Sequence, residues 1–217
     1  MSRYAIGDVH GCFHTLKFLL FEVIKINKKD TVFFLGDYID RGPRIKETIE
    51  FFIDSLDSGW DFRFLMGNHE YMLINSTLMY DLWMVNQGKS TLNSFKILNY
   101  DQLDKKYKNF FENLQYFFKL ENYILVHGTI DTNSSSPLTN YEAMLWGRNY
   151  DIDIEKIGYR KLIVGHTPKS LQEITNSLHK NVIFLDGGCV YKGYNNYGYL
   201  CGLNIDTLKL YSQENID

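Results

Sequence analysis

Five times along this chain a short apolar run stops and hands over to side chains able to bind metals or move protons. Tyr4-Ala5-Ile6 runs into Gly7-Asp8-Val9-His10-Gly11, and Val32-Phe33-Phe34-Leu35 into Gly36-Asp37-Tyr38-Ile39-Asp40-Arg41-Gly42. Phe62-Arg63-Phe64-Leu65-Met66 ends at Gly67-Asn68-His69-Glu70. Tyr123-Ile124-Leu125-Val126 meets His127-Gly128, and Leu162-Ile163-Val164 meets Gly165-His166-Thr167. Short apolar runs bounded in this way read as buried strands. Ligands of open α/β sheets sit outside the carboxyl ends of the strands, where loops expose polar groups above a rigid layer. The pattern therefore predicts an α/β fold with Asp, Asn and His delivered to one edge.

The spacing of the first three runs supports this. Between the first two lies a helical pattern, Phe13, Leu16, Leu19, Leu20, Val23 and Ile24, closed by Asn27-Lys28-Lys29-Asp30. Pro43 then leads Ile45, Thr48, Ile49, Phe52, Ile53 and Leu56, with Pro43 expected in the first helical turn. Asp8 and Asp37 stand 29 positions apart, and Asp37 and Asn68 stand 31 apart, the length of a βαβ unit. Crossovers of one hand would set the three side by side.

From Tyr71 to Leu120 the rhythm changes to a helical region with Gln87-Gly88-Lys89-Ser90 as its break. Leu103, Tyr107, Phe110, Phe111, Leu114 and Phe118 read as one buried helical face, so the region is expected to cap the sheet. Further strands are expected after His166, around Glu173-Ile174-Thr175 and Val182-Ile183-Phe184-Leu185, and a closing hairpin turns at Asp206-Thr207. No linker or internal repeat interrupts the chain, so residues 1–217 are expected to form one domain with two sheets.

A net charge of −3 argues against the clustered Lys and Arg that duplex nucleic acid requires. Cys12, Cys189 and Cys201 are too scattered for a disulfide framework or a zinc ribbon. Met1-Ser2-Arg3 leads at once into a strand, and no apolar run reaches the ~20 residues of a membrane span. A cytoplasmic location without membrane attachment is the expectation.

Asp, Asn and His without a thiolate suit hard or borderline divalent ions, Mn²⁺, Fe²⁺ or Mg²⁺, with Zn²⁺ also compatible. The candidate ligands are too many for one ion. Two ions about 3.5–4 Å apart, bridged by a carboxylate, accommodate them and activate water for in-line attack at phosphorus. An alkoxide leaving group needs a proton, which His69 can donate if Asp40 orients its ring. Arg41 and Arg148 offer planar donors for phosphate oxygens.

The motifs Gly7-Asp8-Val9-His10-Gly11, Gly36-Asp37-Tyr38-Ile39-Asp40-Arg41-Gly42 and Gly67-Asn68-His69-Glu70 resemble those of the phosphoprotein phosphatase family of calcineurin-like metallophosphoesterases. The nearest resemblance is to the bacterial and phage lambda-type branch, related to symmetric dinucleoside tetraphosphate hydrolases. It implies a β-sandwich of two mixed sheets flanked by helices. It also implies Asp8 and His10 on a first metal, Asp37 bridging both, and Asn68, His127 and His166 on a second. Two divalent ions, manganese foremost, are the implied cofactors. His69 and Asp40 match the family's acid pair, Arg41 matches its phosphate contact, and Asn68 also lies beside the bound phosphate. Arg148, in Trp146-Gly147-Arg148, resembles a second phosphate arginine. Thr129 and Ile130 after His127-Gly128 depart from the family pattern, and the carboxyl-terminal segment of the eukaryotic phosphatases is missing, so regulatory subunits are not implied.

On these grounds the first expectation is a phosphoserine/phosphothreonine protein phosphatase, with symmetric hydrolysis of diadenosine tetraphosphate as the alternative. An inactive phosphate-recognising scaffold is a third reading. The complete ligand set argues against it, and Arg41 argues against a diesterase.

Overall fold

The structure is a computed structural model of the chain and describes residues 1–194 and 196–217. Strands β1 (Arg3–Ile6), β2 (Thr31–Phe34) and β3 (Asp61–Phe64) are parallel neighbours, paired Tyr4 with Val32 and Val32 with Phe62. Between them run α1 (Phe13–Phe18), continued by a π-helical turn over Leu19–Ile24, and α2 (Ile45–Asp57). After β3 come α3 (Asn68–Ile74), α4 (Ser76–Val85), α5 (Lys89–Phe95) and α6 (Lys105–Glu112). The second half adds β4 (Phe117–Lys119), β5 (Tyr123–Val126), α7 (Tyr141–Trp146), β6 (Lys161–Val164), α8 (Leu171–Ser177) and β7 (Val182–Phe184). The hairpin β8 (Tyr199–Asn204) and β9 (Lys209–Glu214) closes the chain.

These strands make two mixed sheets, ordered β3-β2-β1-β8-β9 and β4-β5-β6-β7. Because side chains alternate across a strand, each strand serves two layers. Ala5, Phe33, Leu35 and Leu65 face Leu125, Ile163, Ile183 and Leu185 in a core between the sheets. Tyr4, Ile6, Val32 and Phe34 point the other way, against Leu16, Leu20, Ile49 and Phe52 of the helices. On the far side Ile124, Val126, Leu162 and Val164 pack on Met144 of α7 and on Ile157. Burial on both faces explains why the parallel strands read as continuous apolar runs. Since β1, β2 and β3 are parallel neighbours, their carboxyl ends lie together, as do those of β5, β6 and β7.

Three local expectations change. Glu173-Ile174-Thr175 lies in α8, not in a strand, because Ser170 caps that helix: its Oγ faces the Glu173 N–H, and the Glu173 carboxylate accepts the Ser170 N–H. Pro43 precedes α2, whose N-cap is Arg44. Phe118 belongs to β4, paired with Leu125, whereas Leu103, Tyr107, Phe110, Phe111 and Leu114 are buried as the helical pattern required.

Phe34 sits among Phe52, Phe62 and Phe64, with ring centroids 4.8, 5.1 and 5.0 Å away. Phe34→Ala would leave a cavity at that junction and should cost about 3–5 kcal/mol in urea denaturation. Leu56→Ala, at a side chain 42% exposed on the same helical layer, should cost less than about 1 kcal/mol. Equal losses in the two variants would contradict this placement of the core.

Candidate metal centre

The loops that follow the parallel strands fold back on one another through hydrogen bonds. Val9 and His10 N–H groups donate to Asp37 O, and Gly11 N–H to Tyr38 O, tying the first loop to the second. The second loop is held from the third by Glu70. Its Oε1 accepts from Tyr38 N at 2.7 Å and Ile39 N at 3.2 Å, and its Oε2 from Asp37 N at 2.9 Å and Gly67 N at 3.1 Å. Glu70 is fully buried; burial, then the Asp37 charge, raises its pKa to about 7. Gly67 is needed for this approach, since a Cβ there would stand 2.2 Å from Asp37 Oδ1. Gly165 plays the same part beside Asp8, whose Oδ1 would be 2.2 Å from a Cβ.

Several site residues hold left-handed backbone: His10 (φ 44°), Asp37 (54°), Asp40 (65°), Arg41 (67°) and His166 (68°). Each costs roughly 1–2 kcal/mol for a side chain with a Cβ, and such conformations cluster where the surrounding structure must aim a functional group.

Their aim converges on Asp37. Its Oδ2 lies 3.4 Å from His127 Nε2, 3.6 Å from His10 Nε2 and 3.9 Å from His69 Nε2. Asn68 Oδ1 lies 3.0 Å from His127 Nε2 and 2.9 Å from His166 Nδ1, and those two nitrogens are 3.2 Å apart. Two buried sets result, His10 with Asp37 and His69, and Asp37 with His127 and His166. Asp8 belongs to neither set; its carboxylate accepts the His166 N–H at 3.0 Å.

The imidazole tautomers explain what the sets can hold. His127 Nδ1 is 2.8 Å from Leu35 O and His10 Nδ1 is 2.7 Å from Ile39 O. A carbonyl only accepts, so each Nδ1 carries a proton and each neutral ring turns a lone pair inward from Nε2. Around His127 this brings together the lone pairs of Nε2, Asn68 Oδ1 and Asp37 Oδ2, which repel unless a positive charge lies among them. That donor set fits a divalent cation. Without one, a proton takes the position. Burial disfavours the charged ring at His127, but the Asp37 charge, its hydrogen bond and the Asp8 charge outweigh it and raise the pKa to about 10. At His166 burial, then the His127 charge, lowers it to about 3, and its Nε2 is buried without a partner. Burial and the charges of Asp186 and Asp37 likewise push the Asp8 carboxyl well up.

His69 stands at the rim of this centre, its Nδ1 2.6 Å from Asp40 Oδ2 and its ring edge-on to His10 at 4.8 Å between centroids. Asp40 receives two further side chains that sequence reasoning missed, Trp83 Nε1 at 2.9 Å and Thr91 Oγ1 at 2.5 Å. Arg41 donates to His10 Nε2 at 2.5 Å and lies over the Tyr191 ring. Arg148 is exposed and lines a cleft of about 350 Å³ together with Asp131, Asn133, Asn140 and Trp146. Thr129 and Ile130 are buried in its wall, with Thr129 Oγ1 donating to Asn149 O. Asp186 holds a turn, accepting the Gly188 N–H at 2.8 Å.

Residues 1–195 match the family described as Calcineurin-like phosphoesterase. The chain belongs to that family. A symmetrical bis(5'-nucleosyl)-tetraphosphatase of Hamiltonella defensa is 42% identical over 74 residues, 34% of this chain and 26% of the relative. The protein of that name from Vibrio cholerae is 36% identical over 78 residues, 36% of this chain and 28% of the relative. The chain thus spans about a quarter of the length of these relatives. Among solved structures, a protein provisionally named diadenosine tetraphosphatase superposes with a TM-score of 0.65 at 14% identity, covering 99% of this chain and 94% of that one. A serine/threonine phosphatase from Saccharomyces cerevisiae does so with 0.64 at 16% identity, covering 100% and 81%. These likenesses show the α/β metallophosphoesterase fold. No helix among the described residues is long and apolar enough to cross a membrane.

Glu70→Gln tests the scaffold. Whichever way the amide turns, its nitrogen faces two of the four N–H groups now bonded to Glu70. Each stranded donor costs about 1–3 kcal/mol, so the unfolding midpoint in urea should fall by the equivalent of roughly 2–5 kcal/mol. An unchanged midpoint would mean that the loop is held by other contacts.

Proposed function

We propose that this phosphoesterase hydrolyses dinucleoside tetraphosphates symmetrically, by metal-dependent attack of water at phosphorus. The observation that carries the hydrolase reading is the meeting of His10, His69 and His127 Nε2 atoms at one Asp37 oxygen, 3.4–3.9 Å away. The substrate class rests on the relatives: the sequences alike at 36–42% identity bear the name of symmetrical tetraphosphatases. That reverses the order in which sequence alone ranks phosphoprotein and dinucleotide.

Asp8, His10 and Asp37 would hold one divalent ion, and Asp37, Asn68, His127 and His166 the other, with manganese the first choice. Bound there, the ions would supply Lewis-acid charge and lower the pKa of an attacking water. Arg41 and Arg148 would bind phosphate oxygens through bidentate hydrogen bonds, with Asn68 beside them. The His10 lone pair cannot serve a guanidinium and an ion at once, so a loaded site would turn Arg41 towards the substrate. Asp40 would accept the Nδ1–H of a doubly protonated His69, leaving the Nε2–H to pass to the leaving oxygen.

Two clefts support a nucleotide-sized substrate. The one lined by Arg148 shares Glu142 and Trp146 with a second of about 520 Å³, walled by Tyr71, Tyr116 and Tyr141. Tyr116 and Tyr141 stack with centroids 4.3 Å apart, and Tyr141 is 51% exposed, leaving a face open to a purine.

With manganese, the purified protein should convert diadenosine tetraphosphate to ADP alone, with kcat/KM at least about tenfold above that for a phosphoserine peptide. Tyr141→Ala should raise KM for the dinucleotide several-fold and leave p-nitrophenyl phosphate unaffected. Faster phosphate release from the peptide would restore the protein phosphatase reading.

The leaving group separates these reactions further. A nucleoside diphosphate leaves as a phosphate, far less basic than an alkoxide, and needs less help from an acid. His69→Asn should therefore slow alkyl phosphate hydrolysis by roughly 10²–10⁴-fold but the tetraphosphate by less than about tenfold. Equal losses would remove His69 from the acid role.

A further inference from the structure

Two side chains from the helical region close on Asp40 from opposite sides, and neither has a part in the reaction described above. Trp83 Nε1 donates to Asp40 Oδ2 at 2.9 Å, the oxygen that also faces His69 Nδ1 at 2.6 Å. Thr91 Oγ1 accepts the Asp40 backbone N–H at 3.0 Å, which turns its own proton towards Asp40 Oδ1, 2.5 Å away. Trp83, Thr91 and Asp40 are all fully buried.

An indole N–H can only donate, and a hydroxyl that accepts one hydrogen bond has its proton left for another partner. Each Asp40 oxygen thereby accepts a hydrogen bond from a separate helix, Oδ2 from α4 and Oδ1 from α5, so the carboxylate is held at both ends. A buried indole needs an acceptor, and many would have served. Here it is the carboxylate that orients the candidate acid. Gly88 makes the arrangement possible: a Cβ there would stand 2.5 Å from the Trp83 ring, and its absence lets α5 fold back against the indole and carry Thr91 to the far side of the carboxylate.

We propose that Trp83 and Thr91 are positioning residues that act through Asp40 to hold the His69 ring with Nδ1 on the carboxylate and Nε2 turned to the leaving oxygen. This rests on the reading of His69 as general acid. Proton transfer tolerates only small misplacement, on the order of 0.5 Å, and an Asp40 carboxylate gripped on one oxygen alone could rotate about its side-chain torsions. Loss of either donor therefore loosens the ring without touching the metal ligands. The cost falls on reactions that need the proton and spares those that do not.

Trp83→Phe removes the indole N–H and Thr91→Val the hydroxyl at nearly constant shape; Thr91→Ser returns the hydroxyl. Assayed with manganese, Trp83→Phe and Thr91→Val should lower kcat for phosphoserine about tenfold, with KM unchanged, and leave p-nitrophenyl phosphate within about twofold. Thr91→Ser should recover the loss. In a His69→Asn background neither substitution should lower activity further. In metal-free protein, the His69 Nδ1 proton should give a downfield NMR resonance, absent in His69→Asn, that broadens in Trp83→Phe and Thr91→Val and sharpens again in Thr91→Ser. Thr91→Val carries the test if the tryptophan substitution disturbs folding. Equal losses on both substrates in the two variants, losses that multiply with that of His69→Asn, or an unmoved resonance would overturn the proposal. A leaving-group-selective loss in His69→Asn that the two variants do not share would overturn it while leaving the acid reading intact. Equal losses on both substrates already in His69→Asn would overturn both.

Discussion

The Asp37 carboxylate is the group around which the rest of the site is arranged. Buried among imidazoles, it would be costly to keep charged, yet the His127 and His69 charges hold its pKa well below the usual range against the effect of burial. That balance requires the imidazole nitrogens to stay within about 4 Å of it. The rings in turn are fixed by main-chain carbonyls of the neighbouring loops, Ile39 for His10 and Leu35 for His127. Those loops owe their positions to Glu70 and to left-handed backbone at Asp37, Asp40 and Arg41. A chain of contacts thus runs from the strand register to the site, and a shift at any link moves a candidate ligand.

How far sequence carries depends on whether a residue's role is local. The strand ends were legible because each apolar run stops where the backbone leaves the sheet, and βαβ spacing then puts Asp8, Asp37 and Asn68 on neighbouring strands without any long-range inference. His127 and His166 come from the other sheet, and it is their strand-end setting that brings them to the same place. Glu173 looked strand-like beside Ile174 and Thr175, but the reciprocal bonds with Ser170 fix a helix start, a local signal that the short apolar reading overrode. Trp83 and Thr91 carried no such signal. They lie 43 and 51 residues from Asp40 along the chain, inside a region whose composition only says packed helix. Nothing in the sequence indicates which carboxylate a buried indole will find.

Glu70 occupies a middle ground. As the third residue after Gly67 it reads as a helix cap, and it does accept the Gly67 N–H. Its other partners, at Asp37, Tyr38 and Ile39, come from a different loop, so one carboxylate both starts α3 and shapes the loop that carries the central ligand. A capping argument finds the first role because it spans three residues. The second depends on β2 and β3 being parallel neighbours, which only the folded sheet supplies.

The division between the sheet edge and the helical region bears on substrate choice. The candidate metal ligands come from the loops at the ends of parallel strands and from the first turn of α3, whereas the orientation of His69 depends on Asp40 and, through it, on α4 and α5. Attack at phosphorus is common to anhydrides and esters, but only a basic leaving oxygen requires a well-placed acid. Among the described residues none of the candidate ligands touches Trp83 or Thr91 through a hydrogen bond, so α4 and α5 bear on His69 through Asp40 without acting on the sheet edge. The aromatic cleft formed by Tyr71, Tyr116, Tyr141 and Trp146 draws on α3, α7 and the segment before β4, with Met79 and Leu82 of α4 also in its wall. Helix α4 thus reaches both the carboxylate beside His69, through Trp83, and the aromatic cleft, through Met79 and Leu82, while α3, which carries Asn68, His69 and Tyr71, runs from the candidate ligands to that cleft.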